Sequence, residues 1–332
     1  MSEPRVLVSG PIEFHGRAPA RDMLTQAGCE VVHMPQGIGS AAEDVQRHVA
    51  DAFAVLAGGE PLNATTLAAA DCLRIIARNG VGYDAVDVEY CTQRGIVLTN
   101  TPGALSDAVA EETFGLMLAL TRHIALGDRT VKAGGYDVPF GEDLAAMTLG
   151  VLGGGHIGAE VVRRAVAFRM RVLVHDPFVD PARIRALQAE PAELEALLSQ
   201  SDIVTLHMPL TPQSRALVNA GFLGRMKQGS LLINTARGGV VDEQALIEAL
   251  ESGHLAGAGL DVQAHEPATG LSLKLVQLPS VVAMPHAGSK TYSTRERMSV
   301  WAAQSIVDVV QGRQPEHVVN RDVLPRLGLK AR

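Results

Sequence analysis

Short runs of apolar residues alternate with longer stretches of helical periodicity along the whole chain. In the first hundred residues the β-rich runs are 5–9, 30–34, 52–58, 73–78 and 96–100, and the amphipathic stretches between them are 17–27, 41–51, 62–70 and 84–94. Runs of this length and composition are typical of buried strands. Their alternation with helices predicts a parallel sheet that is covered by helices on both faces.

A second series of the same kind begins at residue 148. Its predicted strands are 148–153, 171–176, 202–208, 229–235, 256–262 and 280–286. The clearest of the helical patterns between them covers 242–252, where Asp242 can serve as the N-cap and Gly253 as the first residue beyond the helix. The two series share an architecture but no repeated sequence.

Two longer helical patterns, 104–126 and 291–312, lie where one series ends and the other begins. We interpret them as connecting helices that carry the chain from the first unit into the second and back again. The sequence therefore predicts an α/β protein with two doubly wound parallel-sheet domains. Residues 103–287 are expected to be inserted into a discontinuous, flavodoxin-like domain made of 1–102 and 288–332, with the active site in the cleft between the two.

Composition and charge exclude several classes of protein. The 332 residues suffice for two domains of about 150 residues each, and 47% of them are hydrophobic. A formal net charge of −7 without a lysine or arginine block argues against a nucleic-acid partner. No apolar run reaches the roughly 18 residues of a membrane span, so no membrane association is expected. The N-terminus also lacks the pattern of a signal peptide.

The three cysteines, Cys29, Cys72 and Cys91, show no CxxC spacing. An odd and sparse set of this kind fits free thiols in a reducing cytoplasm better than a disulfide framework or a zinc site. We therefore expect a cytoplasmic protein.

A glycine motif opens the second series. Gly153-x-Gly155-x-x-Gly158 lies between a predicted strand and the helical pattern 157–168, as in dinucleotide-binding βαβ units. The first glycine permits the tight turn, the second lets the pyrophosphate approach the backbone, and the third allows close packing of helix on strand. The helix N-terminus would then face the phosphates.

An acidic residue completes this motif. Asp176 ends the next predicted strand, 18 residues beyond Gly158, which is close to the spacing of about 20 residues expected of the acid that binds the ribose hydroxyls. A carboxylate there repels a 2′-phosphate and favours NAD over NADP. The inserted domain is therefore predicted to be a Rossmann NAD-binding domain.

Polar residues follow three later strands, and ligands of open α/β sheets bind beyond the carboxyl ends of strands. Arg237, Glu266 and His286 stand at such ends, and each of them by itself has an ordinary structural explanation. His207 and His265 compete with His286 for a chemical role. Asp261 lies near a strand end and could face the nicotinamide of a bound NAD.

Taken together, these residues suit the oxidation of a 2-hydroxy acid. This reaction needs a cation for the carboxylate, a base for the hydroxyl proton and a hydride acceptor beside C2. Arg237 can hold a carboxylate with two hydrogen bonds. Histidine suits the base because its pKa is near neutral, and a neighbouring carboxylate would orient its ring.

The chain resembles the D-isomer-specific 2-hydroxyacid dehydrogenase family, which includes phosphoglycerate dehydrogenase, hydroxypyruvate/glyoxylate reductase and formate dehydrogenase. The resemblance runs over nearly the whole chain. The motifs that carry it occur, in order, at 77–88 (ARNGVGYDAVDV), 95–103 (GIVLTNTPG), 107–118 (DAVAEETFGLML), 152–158 (LGGGHIG), 207–218 (HMPLTPQSRALV), 233–246 (INTARGGVVDEQAL), 259–267 (GLDVQAHEP) and 285–291 (PHAGSKT).

The resemblance implies a role for each of the polar residues at the strand ends. Arg237 would bind the carboxylate and polarise the carbonyl group, His286 would exchange the proton, and Glu266 would support His286. The backbone amides around Val81 and Gly82 would hold the substrate carboxylate. The positions implied to contact NAD, together with the glycine motif, are Gly153, Gly155, His156, Ile157, Gly158, Asp176, Met208, Thr235 and Asp261. His207 then becomes a strand-end residue near the nucleotide.

The resemblance also bears on assembly and on the substrate. Relatives are usually dimers joined through the cofactor domain, which suggests a homodimer through the region around 104–146. Phosphoglycerate dehydrogenases hold the substrate phosphate with arginines, and Arg78 matches one of these. The segments 57–61 and 136–144 lack the others. We therefore predict a non-phosphorylated 2-oxo acid of the hydroxypyruvate or glyoxylate type as the substrate.

Three positions depart from the family pattern and would change the shape of the pocket. Gln263 stands where an aromatic residue is common, Ala287 replaces a larger aliphatic residue, and Lys290 replaces a hydroxyl residue. None of these changes touches the three residues expected to be catalytic. No room is expected after 318–320 for the regulatory domain of long phosphoglycerate dehydrogenases.

Other functions remain open. One alternative is a D-3-phosphoglycerate dehydrogenase, and another is a non-catalytic NAD-sensing scaffold, because some relatives of this fold act as transcriptional co-repressors. A P-loop enzyme is not supported, since no GxxxxGK[ST] motif is present. No metal site is predicted, because neither HExxH nor paired cysteines occur.

Overall fold

The computed structural model describes residues 3–34 and 42–331. Residues 1–2, 35–41 and 332 of the predicted flavodoxin-like domain lie outside the described residues. Residue 41 is the expected first residue of one helix. The chain divides into two compact units, Met1–Leu105 with Lys290–Arg332 (unit 1) and Ser106–Ser289 (unit 2). The boundaries expected from the sequence were 102/103 and 287/288, two or three residues earlier.

Unit 1 contains a five-stranded parallel sheet in the order β2-β1-β3-β4-β5. This order is that of flavodoxin-like sheets. The strands are β1 Arg5–Val8, β2 Glu30–His33, β3 Ala54–Ala57, β4 Ile75–Arg78 and β5 Val97–Thr99, and the helices are α1 Pro19–Gln26, α2 Ala42–Val49, α3 Val88–Arg94 and α12 Tyr292–Val310. All five strands that the apolar runs predicted are confirmed.

The helices of unit 1 cover both faces of its sheet. Side chains of successive strand residues point to opposite faces, so Val6 and Val8 share a core with α1 and α12, whereas Leu7 packs with α2 and α3. Burial on both faces explains why the strands are apolar throughout instead of alternating with polar residues.

One helix expected in unit 1 does not form. Residues 64–69 are a series of turns and not part of a helix over 62–70. The Asn63 side chain accepts hydrogen bonds from the backbone N–H groups of Thr65 and Thr66, and the Asn63 N–H donates to the Thr66 hydroxyl. Side chains that bond to nearby backbone in this way favour turns over helices, and two adjacent β-branched threonines weaken the helix further.

Unit 2 contains a seven-stranded parallel sheet in the order β12-β11-β10-β9-β6-β7-β8. When β6 is numbered as the first strand of this unit, the order becomes 7-6-5-4-1-2-3. This is the strand order of dinucleotide-binding sheets with one added strand. The strands are β6 Thr148–Leu152, β7 Arg171–His175, β8 Glu190–Pro191, β9 Ile203–Leu206, β10 Ser230–Asn234, β11 Leu255–Leu260 and β12 Val281–Ala283. Six of them were predicted, and the two-residue β8 was missed because a Glu-Pro pair carries no apolar pattern.

Two hydrophobic clusters lie on opposite faces of the unit 2 sheet, so this domain is doubly wound as predicted. Its helices are α4 Ser106–Thr121, α5 Ile124–Lys132, α6 His156–Ala167, α7 Pro181–Ala186, α8 Leu194–Gln200, α9 Ala220–Leu223, α10 Glu243–Glu251 and α11 Gly270–Val276. The caps expected for α10 are confirmed: Asp242 accepts from the N–H groups of Gln244 and Ala245, and Gly253 has a φ of 73°.

The single helix expected over 104–126 is instead two helices. α4 ends at Thr121, and His123 adopts a left-handed φ of 52° before α5 begins. The Thr121 carbonyl accepts a hydrogen bond from Glu142 N–H, so a segment that returns after α5 binds the last turn of α4. A contact from a distant part of the chain therefore accompanies the end of α4, and the local apolar pattern does not encode it.

No helix within 3–34 and 42–331 combines the length and the apolar character that crossing a membrane requires.

Candidate active site

The three residues expected to be catalytic follow three neighbouring strands of unit 2. Arg237 comes three residues after β10, Glu266 six residues after β11 and His286 three residues after β12. These strands pair in parallel, β10 with β11 and β11 with β12, so their carboxyl ends lie at one edge of the sheet. The topology therefore brings the three side chains to the same edge, where α/β sheets bind ligands.

His286 and Glu266 are in direct contact. The His286 Nδ1 atom lies 2.7 Å from Glu266 Oε2, and Glu266 Oε1 accepts a hydrogen bond from Gln263 N–H at 3.1 Å. Partial burial acts to raise the pKa of Glu266, but the hydrogen bond and charge of His286, the Gln263 N–H and the charge of Arg237 outweigh it and lower that pKa. Glu266 therefore stays a carboxylate at neutral pH and accepts the Nδ1 proton, which leaves Nε2 to exchange a proton with a substrate.

The backbone turn at His286 is held by Asp261, which follows β11 directly. The Asp261 carbonyl accepts from His286 N–H at 2.9 Å, and its carboxylate accepts from Ala287 N–H at 2.6 Å and Gly288 N–H at 2.9 Å. His286 itself has a left-handed φ of 51°, which is uncommon for a residue other than glycine. Burial raises the pKa of Asp261 against the lowering effect of these two N–H groups. This clamp on the histidine turn was not foreseen from the sequence.

Arg237 sits on a loop that its neighbours hold tightly. Asn234, the last residue of β10, donates from Nδ2 to the Arg237 carbonyl at 3.0 Å and accepts from Ala236 N–H at 3.0 Å. A Cβ atom added to Gly238 would overlap the backbone of Gln263. The glycine after Arg237 therefore allows the loop that follows β10 to pack against the loop that carries Glu266, and the sequence Arg-Gly-Gly is its signal.

The glycine loop has the geometry that its motif predicts. Gly153 has a φ of 98°, and a Cβ atom there would come within 2.8 Å of the His207 backbone. At Gly155, the N-cap of α6, an added Cβ atom would meet nothing within 4 Å. A Cβ atom on Gly158 would overlap the Gly153 carbonyl oxygen. The first and third glycines are thus required by packing, and the second leaves open space at the helix N-terminus.

Asp176, directly after β7, binds the backbone of two loops. Its Oδ2 accepts from Gly154 N–H at 2.7 Å and its Oδ1 from Phe178 N–H at 2.8 Å. Each carboxylate oxygen can accept more than one hydrogen bond, so the side chain remains able to accept from a hydroxyl group. The structure therefore gives Asp176 a second task, which is to position the glycine loop.

His207 is held by hydroxyl groups. Its Nε2 lies 2.9 Å from Thr205 Oγ1 and its Nδ1 3.5 Å from Thr235 Oγ1, while Thr113 Oγ1 lies 3.1 Å from Thr235 Oγ1. Burial lowers the pKa of His207 to about 3, so its ring is neutral near neutral pH. Its neighbour Met208 packs against the hydrophobic core of unit 2. His265, the other competitor, is exposed.

The residues expected to bind the substrate in unit 1 lie at the end of β4 and in the loop that follows it. Arg78, the last residue of that strand, donates from Nε to the Gly82 carbonyl at 2.9 Å and from a terminal nitrogen to the Ala57 carbonyl at 2.8 Å. Asn100 donates from Nδ2 to the Val81 carbonyl at 2.9 Å. Within the described parts of the chain, the N–H groups of Val81 and Gly82 donate no hydrogen bond, so this fixed loop presents two amides to a ligand.

Comparison with known proteins decides the family. Residues 114–288 match the family model described as D-isomer specific 2-hydroxyacid dehydrogenase, NAD binding domain.

The chain belongs to this family. It is 41% identical over 271 residues to a glyoxylate reductase of Korarchaeum cryptofilum, covering 80% of this chain and 81% of the relative. It is 40% identical over 255 residues to a hydroxypyruvate reductase of Thermotoga maritima, covering 76% and 82%. A solved D-lactate dehydrogenase of Aquifex aeolicus, complexed with NAD and lactic acid, superposes with a TM-score of 0.83 at 26% identity and covers 97% of this chain and 98% of that one.

The protein is thus an NAD-dependent D-2-hydroxyacid dehydrogenase, as the motifs implied. The open space at Gly155, the N-terminus of the twelve-residue helix α6 and the Asp176 carboxylate suit a dinucleotide. Within the described residues, no three histidine, cysteine, aspartate or glutamate side chains are grouped so as to hold a metal ion.

Two glycine variants of this dehydrogenase separate packing from cofactor binding. Gly158→Ala should lower the stability of the protein by about 1–3 kcal/mol, because the added Cβ overlaps the Gly153 carbonyl. Gly155→Ala adds its Cβ to open space, so it should leave stability nearly unchanged while it weakens NADH binding at least tenfold. Thermal unfolding without ligand and fluorescence titration with NADH measure the two effects. If Gly155→Ala bound NADH as the wild type does, the dinucleotide would lie elsewhere.

A second prediction concerns the base. His286→Asn should lower kcat by about 10²- to 10⁴-fold while the Kd for NADH stays within about threefold. Because burial lowers the pKa of His207 to about 3, its ring is neutral near neutral pH and is not expected to supply the proton. The exposed neighbour His265→Asn is the control and should keep wild-type turnover. The reverse result for the two histidines would show that His265 is the base.

Proposed function

We propose that this dehydrogenase reduces small non-phosphorylated 2-oxo acids of the glyoxylate and hydroxypyruvate type with NADH. The single observation that carries the proposal is the 2.7 Å contact between His286 and Glu266 at the sheet edge where Arg237 also lies. A scaffold that only senses NAD has no need of this arrangement. The relatives named glyoxylate reductase and hydroxypyruvate reductase support the choice of substrate.

In the proposed reaction, the N–H groups of Val81 and Gly82 hold the carboxylate of the 2-oxo acid. The Arg237 guanidinium binds the carboxylate and polarises the C2 carbonyl group. NADH, when bound, supplies the hydride that reduces C2. The protonated Nε2 of His286 gives its proton to the carbonyl oxygen, which becomes the hydroxyl group of the (R)-2-hydroxy acid. Glu266 keeps the ring oriented through Nδ1 while this proton leaves.

The residues proposed to hold NAD follow β6, β7, β9, β10 and β11. The amides at Gly155, His156 and Ile157, at the N-terminus of α6, would bind the pyrophosphate. Asp176 would accept from the ribose hydroxyls and repel a 2′-phosphate. Gly153 and Gly158 shape the loop. Met208, Thr235 and Asp261 would line the nicotinamide half of the site.

Phosphorylated substrates fit this protein poorly. Arg78 is the arginine that matches a phosphate-binding residue of phosphoglycerate dehydrogenases. Two of its guanidinium nitrogens already donate to the backbone carbonyls of Gly82 and Ala57. Its position at the end of β4 therefore serves to fix the loop that presents the Val81 and Gly82 amides. The segments 57–61 and 136–144 add no arginine.

A panel of 2-oxo acids tests the proposed function. With NADH, the wild type should reduce hydroxypyruvate and glyoxylate with a kcat/KM at least tenfold above that for 3-phosphohydroxypyruvate. NADH should also bind more tightly than NADPH, because of the Asp176 carboxylate. Absorbance of NADH at steady state gives the rates, and fluorescence titration gives the affinities.

Three outcomes would contradict the proposal. A higher kcat/KM on the phosphorylated acid would identify a phosphoglycerate dehydrogenase. Binding of NADH without any absorbance loss at saturating 2-oxo acids would favour a scaffold. Tighter binding of NADPH than of NADH would overturn the choice of cofactor. Arg237→Ala serves as the matched inactive variant, because it should lose substrate reduction while it still binds NADH.

We also propose that the protein is a cytoplasmic homodimer joined through unit 2. The segment 124–140 carries apolar side chains that the single chain leaves exposed, most fully Tyr136 (95%) and Phe140 (105%). Exposed apolar groups gathered in one segment are typical of interaction surfaces. The free cysteines, Cys29, Cys72 and Cys91, suit a reducing compartment.

The dimer proposal predicts a change of mass. The wild type should elute as a dimer in size-exclusion chromatography with light scattering, and the double variant Tyr136→Ser with Phe140→Ser should shift toward the monomer at micromolar concentration. Phe178→Ser is the control, since Phe178 is 96% exposed but lies outside the segment 124–140. A wild-type monomer, or a double variant that remains fully dimeric, would contradict this assignment.

A further inference from the structure

Unit 1 holds a group of buried polar atoms that have no partner. Within its described residues, four side chains bury oxygen atoms that make no hydrogen bond: Glu60, Asn79, Thr99 and Thr101. All four lie at or just after the carboxyl ends of β3, β4 and β5, which are neighbours in the sheet. Buried polar groups in proteins are nearly always hydrogen-bonded, so this clustering at one edge indicates a place that receives a polar ligand.

Glu60 is the most unusual member of this group. Its side chain is 1% exposed, and neither of its carboxylate oxygens has a hydrogen-bond partner among the described residues. A buried carboxylate without a donor is costly, and glutamate is almost never fully buried unless it is paired. An uncharged or apolar residue at this position would avoid that cost, so the carboxylate indicates a donor that the described residues do not supply.

The position of Glu60 relates it to the loop proposed to hold the substrate. Glu60 lies on the loop after β3, whose last residue, Ala57, pairs with Arg78 of β4. Arg78 donates both to the Ala57 carbonyl, where the Glu60 loop begins, and to the Gly82 carbonyl. Neighbouring strands lie about 4.8 Å apart, so the two loops leave the sheet side by side. Their connection through Arg78 fixes that arrangement.

We propose that Glu60 determines the specificity of the dehydrogenase by accepting a hydrogen bond from a hydroxyl group on the carbon next to the substrate carbonyl. The inference rests on the proposed function. In the proposed reaction, the Val81 and Gly82 amides hold the substrate carboxylate. The substituent at C3 is then the part of a small 2-oxo acid that remains for another loop to contact.

The chemistry of Glu60 selects among substituents. A hydroxymethyl group, as in hydroxypyruvate, offers the donor that the carboxylate lacks. The methyl group of pyruvate and the aldehyde hydrogen of glyoxylate offer none. A phosphate group at C3 would place negative charge beside the Glu60 carboxylate. Repulsion between the two disfavours a phosphorylated substrate. The preferred substrate is therefore a 3-hydroxy-2-oxo acid, with glyoxylate a poorer one.

The test compares substrates with and without the hydroxyl group in two variants of Glu60. The ratio of kcat/KM for hydroxypyruvate to that for pyruvate should fall about 10- to 100-fold in Glu60→Ala, because a charge-assisted hydrogen bond is lost. Glu60→Gln keeps one acceptor oxygen and should reduce the ratio less. Glu60→Gln also removes the negative charge, so it should raise kcat/KM for 3-phosphohydroxypyruvate relative to that for hydroxypyruvate. Glu30→Gln, at an exposed position of β2, is the matched control.

The measured quantity is the ratio of kcat/KM for hydroxypyruvate to that for pyruvate. A general loss of activity lowers both values and leaves this ratio unchanged. Equal loss on hydroxypyruvate and pyruvate in both variants would show a structural role for Glu60 and overturn the proposal. A wild-type enzyme that reduces pyruvate as efficiently as hydroxypyruvate would also overturn the proposal. This measurement does not depend on whether a variant folds. Absence of NADH-dependent reduction of every 2-oxo acid would instead refute the proposed function, and the two failures are thus distinguishable.

Discussion

The candidate site exists because the strands of unit 2 pair in parallel. Because β6, β7 and β9 to β12 all run in the same direction, each ends at the same edge of the sheet. The glycine loop, Asp176, Thr235 and the three residues with proposed catalytic roles each stand just past one of these ends. Residues from Gly153 to His286 thereby converge although more than a hundred positions separate them along the chain. A side chain needs only to follow a strand to reach the site.

Convergence alone does not orient a catalytic group, and the loops supply the orientation with backbone hydrogen bonds. Asp261 fixes the turn at His286, Asn234 fixes the loop of Arg237, and Asp176 fixes the glycine loop. In each case a short polar side chain at or just after a strand end binds the backbone of a loop. Such contacts cost little side-chain entropy because these side chains are short. The longer side chains of Arg237, Glu266 and His286 then remain for their proposed catalytic roles.

The sheet edge of unit 1 is built on the same principle but is less complete. Arg78 ties the loops after β3 and β4 together, and Asn100 ties the loop after β4 to β5. Side-chain oxygens of Glu60, Asn79, Thr99 and Thr101 have no hydrogen-bond partner in the part of the chain that the structure describes. In unit 2 the corresponding polar groups are mostly satisfied by backbone. The difference indicates that the edge of unit 1 is shaped for a ligand that supplies its own donors.

The two sheets, the insertion of one unit into the other, the dehydrogenase family and the cap residues of α10 could all be predicted from the sequence. These features depend on apolar runs, glycine spacing and single capping residues, which act over a few positions. Prediction failed at 62–70, where Asn63 side-chain bonds favour turns over a helix, and at 104–126, where the end of α4 binds a segment twenty residues further on.

The hydrogen-bond partners of the polar side chains could be read only from the folded chain. The sequence placed Asp261 near the nicotinamide but gave no sign that its carboxylate holds the His286 turn, since the two residues are 25 positions apart. No motif in the sequence distinguishes Glu60, and only the folded chain shows that its side chain is buried with no hydrogen-bond donor among the described residues. Burial and pairing arise when strands from distant parts of the chain meet, so local patterns do not contain them.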